Sequence, residues 1–201
     1  MGFALAKERP LTVEEYLEFE EKSRIKHEYM DGEIFVMAGS KRSHSLIATN
    51  TARHLGNQLE NTDCEVHQSD FRVRARADHY VYPDVVVAWG EIETAGKEIE
   101  TLLNPIVVIE VLSKSTEKRD RGDKAEDYFA LPSLHEYVLI AQDKSRVEHF
   151  VRQSDNQWRL IIYTHLSDAP QLNSINCQIS LESIYLKVKF PIIKVVKSRN
   201  D

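Results

Sequence analysis

The sequence has few cysteines and no long apolar run, and each absence excludes a class of protein. Its two cysteines, Cys64 and Cys177, are far apart without a C-x-x-C motif, so neither a zinc knuckle nor a disulfide framework is indicated. No run of about 18 apolar residues occurs, and Lys7-Glu8-Arg9 stands where a signal peptide would be apolar. We therefore expect a cytoplasmic protein that does not enter a membrane.

The chain also lacks an excess of positive charge. It carries 26 lysines and arginines against 32 acidic residues, for a net charge of -6. This balance argues against a strongly basic surface that binds nucleic acid over a wide area, although it leaves room for a local basic groove. A length of 201 residues, 42% of them hydrophobic, suits one globular domain. We expect that domain to span residues 1–190 and to be followed by a loosely ordered tail at 191–201.

Turn and capping signals organise the N-terminal part. Thr12 and Glu15 form a capping-box pair, which predicts that a helix begins there. Asp31-Gly32 lies between two short extended runs and predicts a hairpin. Apolar residues at helical spacing predict a second helix over Ser43–Leu59, with Ser43 as its N-cap.

The rest of the chain alternates strand and helix signals, which predicts an α/β fold with a mixed β-sheet flanked by helices. Its C-terminal part reads as an antiparallel meander. The predicted elements are one or two strands within Cys64–Ala75, a surface loop with helical character over Glu91–Asn104, a helix from Ser115 or Thr116 to Leu131, strands at Glu136–Ala141, Arg146–Val151 and Trp158–Tyr163, and an edge strand or short helix around Ile175–Leu186.

Two apolar runs, Tyr82–Val87 and Pro105–Val111, each contain one carboxylate, Asp84 and Glu110 respectively. Short β-branched runs of this kind predict strands in a covered sheet. An ionised carboxylate is costly there unless something pairs with it. A shared divalent cation is one such partner, because carboxylate oxygens are the ligands that Mg²⁺ prefers. The pattern therefore favours a metal-dependent phosphodiesterase.

Two further residues complete a candidate catalytic set. In-line attack of water on a phosphodiester needs a held cation and a cationic or basic group beside the nucleophile. Lys124 is predicted on the helix after Glu110, on one stripe with Asp120 and Tyr128. Glu28, in the predicted hairpin, offers another carboxylate.

A resemblance to a known family rests on several elements of the chain. They are His27-Glu28-Tyr29-Met30-Asp31-Gly32-Glu33, His44 opening a helix, Tyr82-Pro83-Asp84-Val85, and Val108-Ile109-Glu110-Val111-Leu112-Ser113 followed by Ser115-Thr116, Asp120, Lys124 and Tyr128. At these residues the sequence resembles the PD-(D/E)xK nuclease superfamily and, more closely, the bacterial Uma family of proposed restriction endonucleases. The resemblance covers most of the chain, from Leu11 to Tyr163.

The resemblance implies a restriction-endonuclease-like fold and DNA cleavage that depends on Mg²⁺, with Mn²⁺ as a substitute. It implies that Asp84 and Glu110 bind the metal together with the Val111 carbonyl, and that Glu28 is the extra N-terminal acidic residue. One departure concerns the lysine: an E-x-K motif would have Lys at position 112, where this chain has Leu112. The resemblance suggests that Lys124 has taken over that role.

Each of these residues also has a purely structural interpretation. Asp84 could satisfy its own turn, and Glu110 could pair with a buried Arg or Lys. Lys124 could pair with Asp120 on its own helix, an interaction worth only about 0.2–0.5 kcal/mol. Glu28 could cap or pair near the hairpin turn. Lys114 is the local competitor for the catalytic lysine.

Other polar residues are open to two interpretations as well. His44 could take part in chemistry or satisfy a backbone group at its helix start. Arg72, Arg74 and Arg76 alternate at strand spacing and are either a phosphate-contacting strip or a solvated sheet edge. The residues that could extend such a strip are Lys114, Lys118, Arg119 and Arg121.

At the level of function, the leading hypothesis is a DNA endonuclease. Because a duplex has two strands, a symmetric homodimer with two active sites is the expected assembly. One alternative is a catalytically inactive nucleic-acid or protein binding module on the same fold, since the E-x-K lysine is missing. Another is a regulatory oligomer that acts on proteins, which the acidic net charge would suit.

Overall fold

A computed structural model describes residues 9–37, 39–154 and 157–191. The expected loose tail therefore lies, apart from Pro191, outside the described residues. In chain order the elements are α1 (Val13–Lys22), β1 (His27–Met30), β2 (Glu33–Val36), α2 (Arg42–Leu59), β3 (Cys64–His67), β4 (Arg72–Arg76), β5 (His79–Val81), β6 (Val85–Trp89), β7 (Thr94–Ala95), β8 (Thr101–Leu102), β9 (Pro105–Leu112), α3 (Glu117–Arg121), α4 (Asp123–Ala130), β10 (Glu136–Ala141), β11 (Val147–Ser154), β12 (Gln157–Tyr163), β13 (Gln171–Leu172), β14 (Cys177–Gln178) and α5 (Leu181–Ile184).

Most strands belong to two six-stranded sheets. The first sheet has the order β2-β1-β5-β4-β8-β7, and the second has the order β12-β11-β10-β9-β6-β3. Both are mixed, because β4 pairs with β8 and β9 pairs with β10 in parallel, whereas the other pairs are antiparallel. The strands β10, β11 and β12 form the expected meander. The predicted α/β class is confirmed, with the strands divided between two sheets.

The second sheet is covered on both faces. Val85, Val87 and Ile109 pack with α2 and α5 on one face. Val86 and Val108, which point the other way because side chains alternate along a strand, pack with the first sheet and α4. This burial explains why β6 and β9 read as continuous apolar runs. Every helix in the described part of the chain is too short or too polar to cross a lipid bilayer.

The first helix and the first hairpin formed where local sequence signals predicted them. The Thr12 hydroxyl accepts the Glu15 N–H and the Glu15 side chain accepts the Thr12 N–H, which completes the capping box of α1. Asp31 and Gly32 make the β1–β2 turn with φ angles of 48° and 86°. Both residues tolerate this left-handed backbone better than most.

Substitution by alanine should lower stability at Gly32 and raise it at Gly56. Its φ is positive, and an added Cβ would collide with Pro10, so Gly32→Ala should lower the free energy of unfolding by about 1–3 kcal/mol. Gly56, inside α2, has no atom within 4 Å of an added Cβ, so Gly56→Ala should raise that free energy by roughly 0.5–1 kcal/mol. Urea unfolding measures both changes, and equal effects would contradict the turn geometry.

The predicted N-cap of α2 is wrong. The helix begins at Arg42 with Lys41 as N-cap, so Ser43 lies inside the first turn. The Ser43 hydroxyl donates to Gln142 Oε1 at 3.2 Å, beyond the end of β10. A tertiary partner therefore takes the hydroxyl that a local cap would have used.

Two further expectations needed correction. The segment Glu91–Asn104 has no helix; it contains the antiparallel pair β7 and β8, closed by the Asn104 side chain, which accepts the Glu93 N–H and donates to Glu91 O. The helix predicted to run to Leu131 is interrupted at Gly122, whose φ of −106° and ψ of −110° are not helical. It consists of α3 and α4, which changes the direction of the chain before Lys124.

Candidate active site

Asp84 and Glu110 lie side by side at one end of the second sheet. The strands β6 and β9 pair with Val85 opposite Ile109, so their flanking carboxylates meet. The Asp84 N–H donates to Glu110 Oε2 at 3.3 Å, and the Val111 N–H donates to Asp84 Oδ2 at 2.8 Å. The structure thus brings together all three residues predicted to bind the metal.

Lys124 and Glu28 reach the same place from other elements. Lys124 Nζ lies 2.6 Å from Glu28 Oε1, 3.2 Å from Glu110 Oε1 and 3.7 Å from Asp120 Oδ1. No side chain of these four exposes more than 5% of its surface. The Lys124–Asp120 contact exists as predicted, but it is the longest of the three, so this lysine does more than pair along its own helix.

Arg119 and Tyr128 support the cluster from α3 and α4. Tyr128 OH donates to Glu110 Oε1 at 3.2 Å. Arg119 Nη2 donates to Glu28 Oε2 at 2.8 Å, and its guanidinium stacks on the Phe35 ring at 4.6 Å. Arg119 was anticipated only as a member of a basic strip, because sequence spacing carries no signal for a contact with a hairpin 91 residues away.

His44 is the third residue of α2 and joins the site from the opposite side of the second sheet's end. Its Nε2 lies 3.1 Å from Asp84 Oδ2, and the ring also hydrogen-bonds to the Val111 backbone. Burial opposes a charge on this imidazole, but Asp84 outweighs it, so the pKa of His44 is raised above its usual value. The interpretation of His44 as a residue that satisfies a backbone group is therefore incomplete.

The pKa shifts in the cluster indicate that its buried carboxylates have too few positive charges beside them. Burial and the neighbouring Asp120, Asp84 and Glu28 raise the pKa of Glu110, although Lys124 opposes the rise. Burial likewise raises the pKa of Asp120. Burial opposes the charge of Lys124, but the carboxylates around it prevail and raise its pKa. Four carboxylates, those of Glu28, Asp84, Glu110 and Asp120, lie near the cations of Lys124 and Arg119, and carboxylates left undercompensated in this way suit a bound Mg²⁺ or Mn²⁺.

The cluster forms the floor of a cavity of about 670 Å³. Besides the residues already described, the lining includes the exposed Lys41 and Lys114, and Lys26, whose ammonium is paired with Asp70. Buried carboxylates therefore lie beneath a mouth that carries cationic side chains. Lys41 and Lys114 make this mouth a candidate for the local basic groove for which the acidic net charge left room.

The arginine strip does not reach this cavity. Arg72 is buried and donates to Thr101 Oγ1 and Ile99 O, and Arg76 pairs with Asp31 and Asp78. Neither guanidinium is free for a phosphate, so the prediction of one phosphate-contacting face is wrong for both. The alternative of a solvated sheet edge is wrong for Arg72, because β8 pairs with β4 at Arg72 and Val73, whereas Arg74 and Arg76 are exposed beyond that pairing.

A second group of potential metal ligands, not anticipated from the sequence, lies at the hairpin tips of the first sheet. Ligand atoms of Asp31, Asp78 and His79 lie within 4.8 Å of one another. His79 Nδ1 is also paired with Asp127, and the Arg76 guanidinium contacts Asp31 and Asp78. The guanidinium already compensates these carboxylates, so this cluster is best explained as a salt-bridge network.

Comparisons with known proteins agree with this architecture. Two uncharacterised proteins of Synechocystis sp. PCC 6803 are similar in sequence. The protein slr1290 is 34% identical, and the match covers 90% of this chain and 94% of slr1290. The protein sll1609 is 36% identical, and the match covers 75% of this chain and 85% of sll1609. A crystal structure from Anabaena variabilis, described as "a putative nuclease belonging to DUF820", superimposes with a TM-score of 0.71. It covers 88% of this chain and 98% of its own at 17% identity, which establishes a shared fold.

The family comparison covers all of the site. The sequence profile of the Uma2 family, described as "Putative restriction endonuclease", matches residues 13–183. That span contains Glu28, His44, Asp84, Glu110 and Lys124. The chain belongs to the Uma2 family of nuclease-like proteins.

Proposed function

We propose that this protein is a DNA endonuclease that hydrolyses phosphodiester bonds with Mg²⁺ or Mn²⁺. The observation that carries the proposal is the convergence of Glu28, Asp84, Glu110 and Lys124, from four separate parts of the chain, on the floor of one cavity. Family membership and the nuclease-like fold support the same activity. A purely structural ion pair would not require so many carboxylates around one ammonium.

In this proposal Asp84 and Glu110, with the Val111 carbonyl, hold the cation. When bound, the cation polarises the phosphoryl oxygen and neutralises developing negative charge. Lys124 lies beside Glu110 and orients the attacking water or stabilises charge on the phosphate. Glu28 fixes the ammonium at 2.6 Å, and Arg119 in turn holds Glu28.

The cationic mouth supports DNA as the substrate. Lys41 and Lys114 lie at the rim above a floor of carboxylates, so they can hold phosphate oxygens while one phosphate approaches the floor, whereas Lys26 is already paired with Asp70. A homodimer, which would supply one active site for each strand of a duplex, stays a prediction. Light scattering that gave a monomer would contradict it.

Plasmid nicking tests the activity directly. Wild-type protein with Mg²⁺ or Mn²⁺ should nick supercoiled DNA, and Asp84→Asn should lower the rate by about 10³-fold, because one charged ligand of the cation is lost. Asp143→Asn alters an exposed carboxylate in the β10–β11 loop, away from the cavity lining, and should cleave like the wild type. Equal rates for all three proteins would remove Asp84 from the mechanism.

Metal titration separates the nuclease from the inactive binding module. Calorimetry of the wild type with Mn²⁺ should show heat that Asp84→Asn abolishes. If the wild type neither cleaves DNA nor shows such heat, the alternative of a non-catalytic module on the same fold is favoured.

A further inference from the structure

The arrangement around His44 is not explained by the roles assigned so far. Its imidazole contacts both the Asp84 carboxylate, at 3.1 Å from Nε2 to Oδ2, and the Val111 backbone. These two residues carry two of the three oxygen donors proposed for the cation. The ring therefore lies at the same end of the β6–β9 pair as the ligand set, on the cavity lining.

The spacing of these atoms fits a shared ion. In octahedral coordination with bonds of about 2.1 Å, adjacent ligand atoms are separated by about 3 Å. The 3.1 Å between His44 Nε2 and Asp84 Oδ2 is an ion-pair distance in the metal-free protein and also an edge of that size, and the ring would release its Nε2 proton to solvent when the ion binds. Asp84 Oδ2 also accepts the Val111 N–H at 2.8 Å, and a ligating carboxylate held by such a bond has a fixed orientation.

We propose that His44 is a nitrogen ligand of the cation at this site and makes the site prefer Mn²⁺ to Mg²⁺. The inference rests on the proposed function, since it takes the Asp84–Glu110 site as the metal site. Mg²⁺ is a hard ion that binds oxygen donors and keeps several waters, whereas affinity for a mixed nitrogen and oxygen set rises along the first transition row. An imidazole in an otherwise oxygen set therefore discriminates between the two ions.

The chain offers a matched control for this histidine. His54 lies on the same helix as His44, is partly buried, and is absent from the cavity lining. His54→Ala removes an identical side chain from α2 without touching the site. It therefore corrects for helix propensity and for weak metal binding by surface histidines.

The experiment is calorimetric titration of the full chain with MnCl₂ and, separately, MgCl₂, for the wild type and the variants His44→Ala, His44→Gln, His54→Ala and Asp84→Asn. His44→Ala and His44→Gln should weaken Mn²⁺ binding about 10- to 100-fold and Mg²⁺ binding by less than about threefold. His54→Ala should match the wild type. Electron spin-echo spectroscopy of the Mn²⁺-loaded wild type should show coupling to an imidazole nitrogen that both His44 variants lack.

The outcomes separate this inference from the proposed function. Mn²⁺ binding that needs Asp84 but shows no nitrogen coupling, or that falls equally for both ions in the His44 variants, overturns the role of His44 and leaves the metal site standing. Binding that Asp84→Asn does not reduce overturns the metal site itself, and the role of His44 with it. Because the spectrum of the wild type answers the question by itself, a variant that folds poorly does not prevent a decision.

Discussion

Lys124→Met is expected to lower the free energy of unfolding by about 3–5 kcal/mol and to eliminate cleavage. The ammonium is the nearest positive charge to Glu28 and Glu110, at 2.6 and 3.2 Å, and Asp120 lies within 3.7 Å. Methionine fills similar volume without charge, so these buried carboxylates would repel one another uncompensated. Their protonation or exposure to water would then compete with the native packing.

Urea unfolding at neutral pH measures this loss, and Lys118→Met provides the control. Lys118 is exposed on α3, so its replacement should change stability by less than about 0.5 kcal/mol. Mn²⁺ should restore part of the stability of Lys124→Met, because the ion supplies charge to the same carboxylates. A Lys124→Met protein as stable as the wild type would show that the carboxylates do not depend on the ammonium.

Glu110→Gln is expected to have opposite effects on activity and stability. Cleavage should fall by about 10³-fold, since a charged ligand of the cation is removed. In the metal-free protein, however, the amide should raise the free energy of unfolding by roughly 1–3 kcal/mol at neutral pH. The reason is that burial and the surrounding carboxylates disfavour the ionised form of Glu110, which glutamine never adopts.

The sign of the pH dependence follows from the same feature. The folded protein raises the pKa of Glu110, so the contribution of this group is fully present below its unfolded pKa of about 4.5 and is lost as the pH rises. The raised pKa values of Asp120 and His44 act in the same direction. Urea midpoints of the metal-free wild type should therefore decline from about pH 5 to about pH 8, and more gently in Glu110→Gln. An unchanged slope in the variant would contradict the cost assigned to this carboxylate.

The carboxylate pair proposed to bind the metal was predictable because its signal is local. Asp84 and Glu110 each lie in or beside a continuous apolar run, and such runs form buried strands. The position of Lys124 followed from the family resemblance, not from the spacing of apolar residues. The capping box at Thr12 and the turn at Asp31-Gly32 were equally local, and both formed as predicted.

The rest of the site depends on contacts between distant segments. The approach of Arg119 to Glu28 requires the first sheet to pack on the second, and no periodicity in the sequence signals that packing. The position of Arg72 was misjudged for a related reason. Alternation indicates which residues share a face of a strand, but not whether that face is covered by tyrosine rings, as Arg72 is by Tyr16 and Tyr80.

The residues of the candidate active site are distributed between the two sheets, and this has a consequence during synthesis. Glu28 belongs to the first sheet, Glu110 to the second, and Asp84 to the segment that joins β5 to β6. Lys124 emerges later still, after β9 is complete. A nascent chain consequently lacks the complete set of proposed catalytic residues, and under the proposed function we expect it to cleave no DNA until the two sheets have packed together.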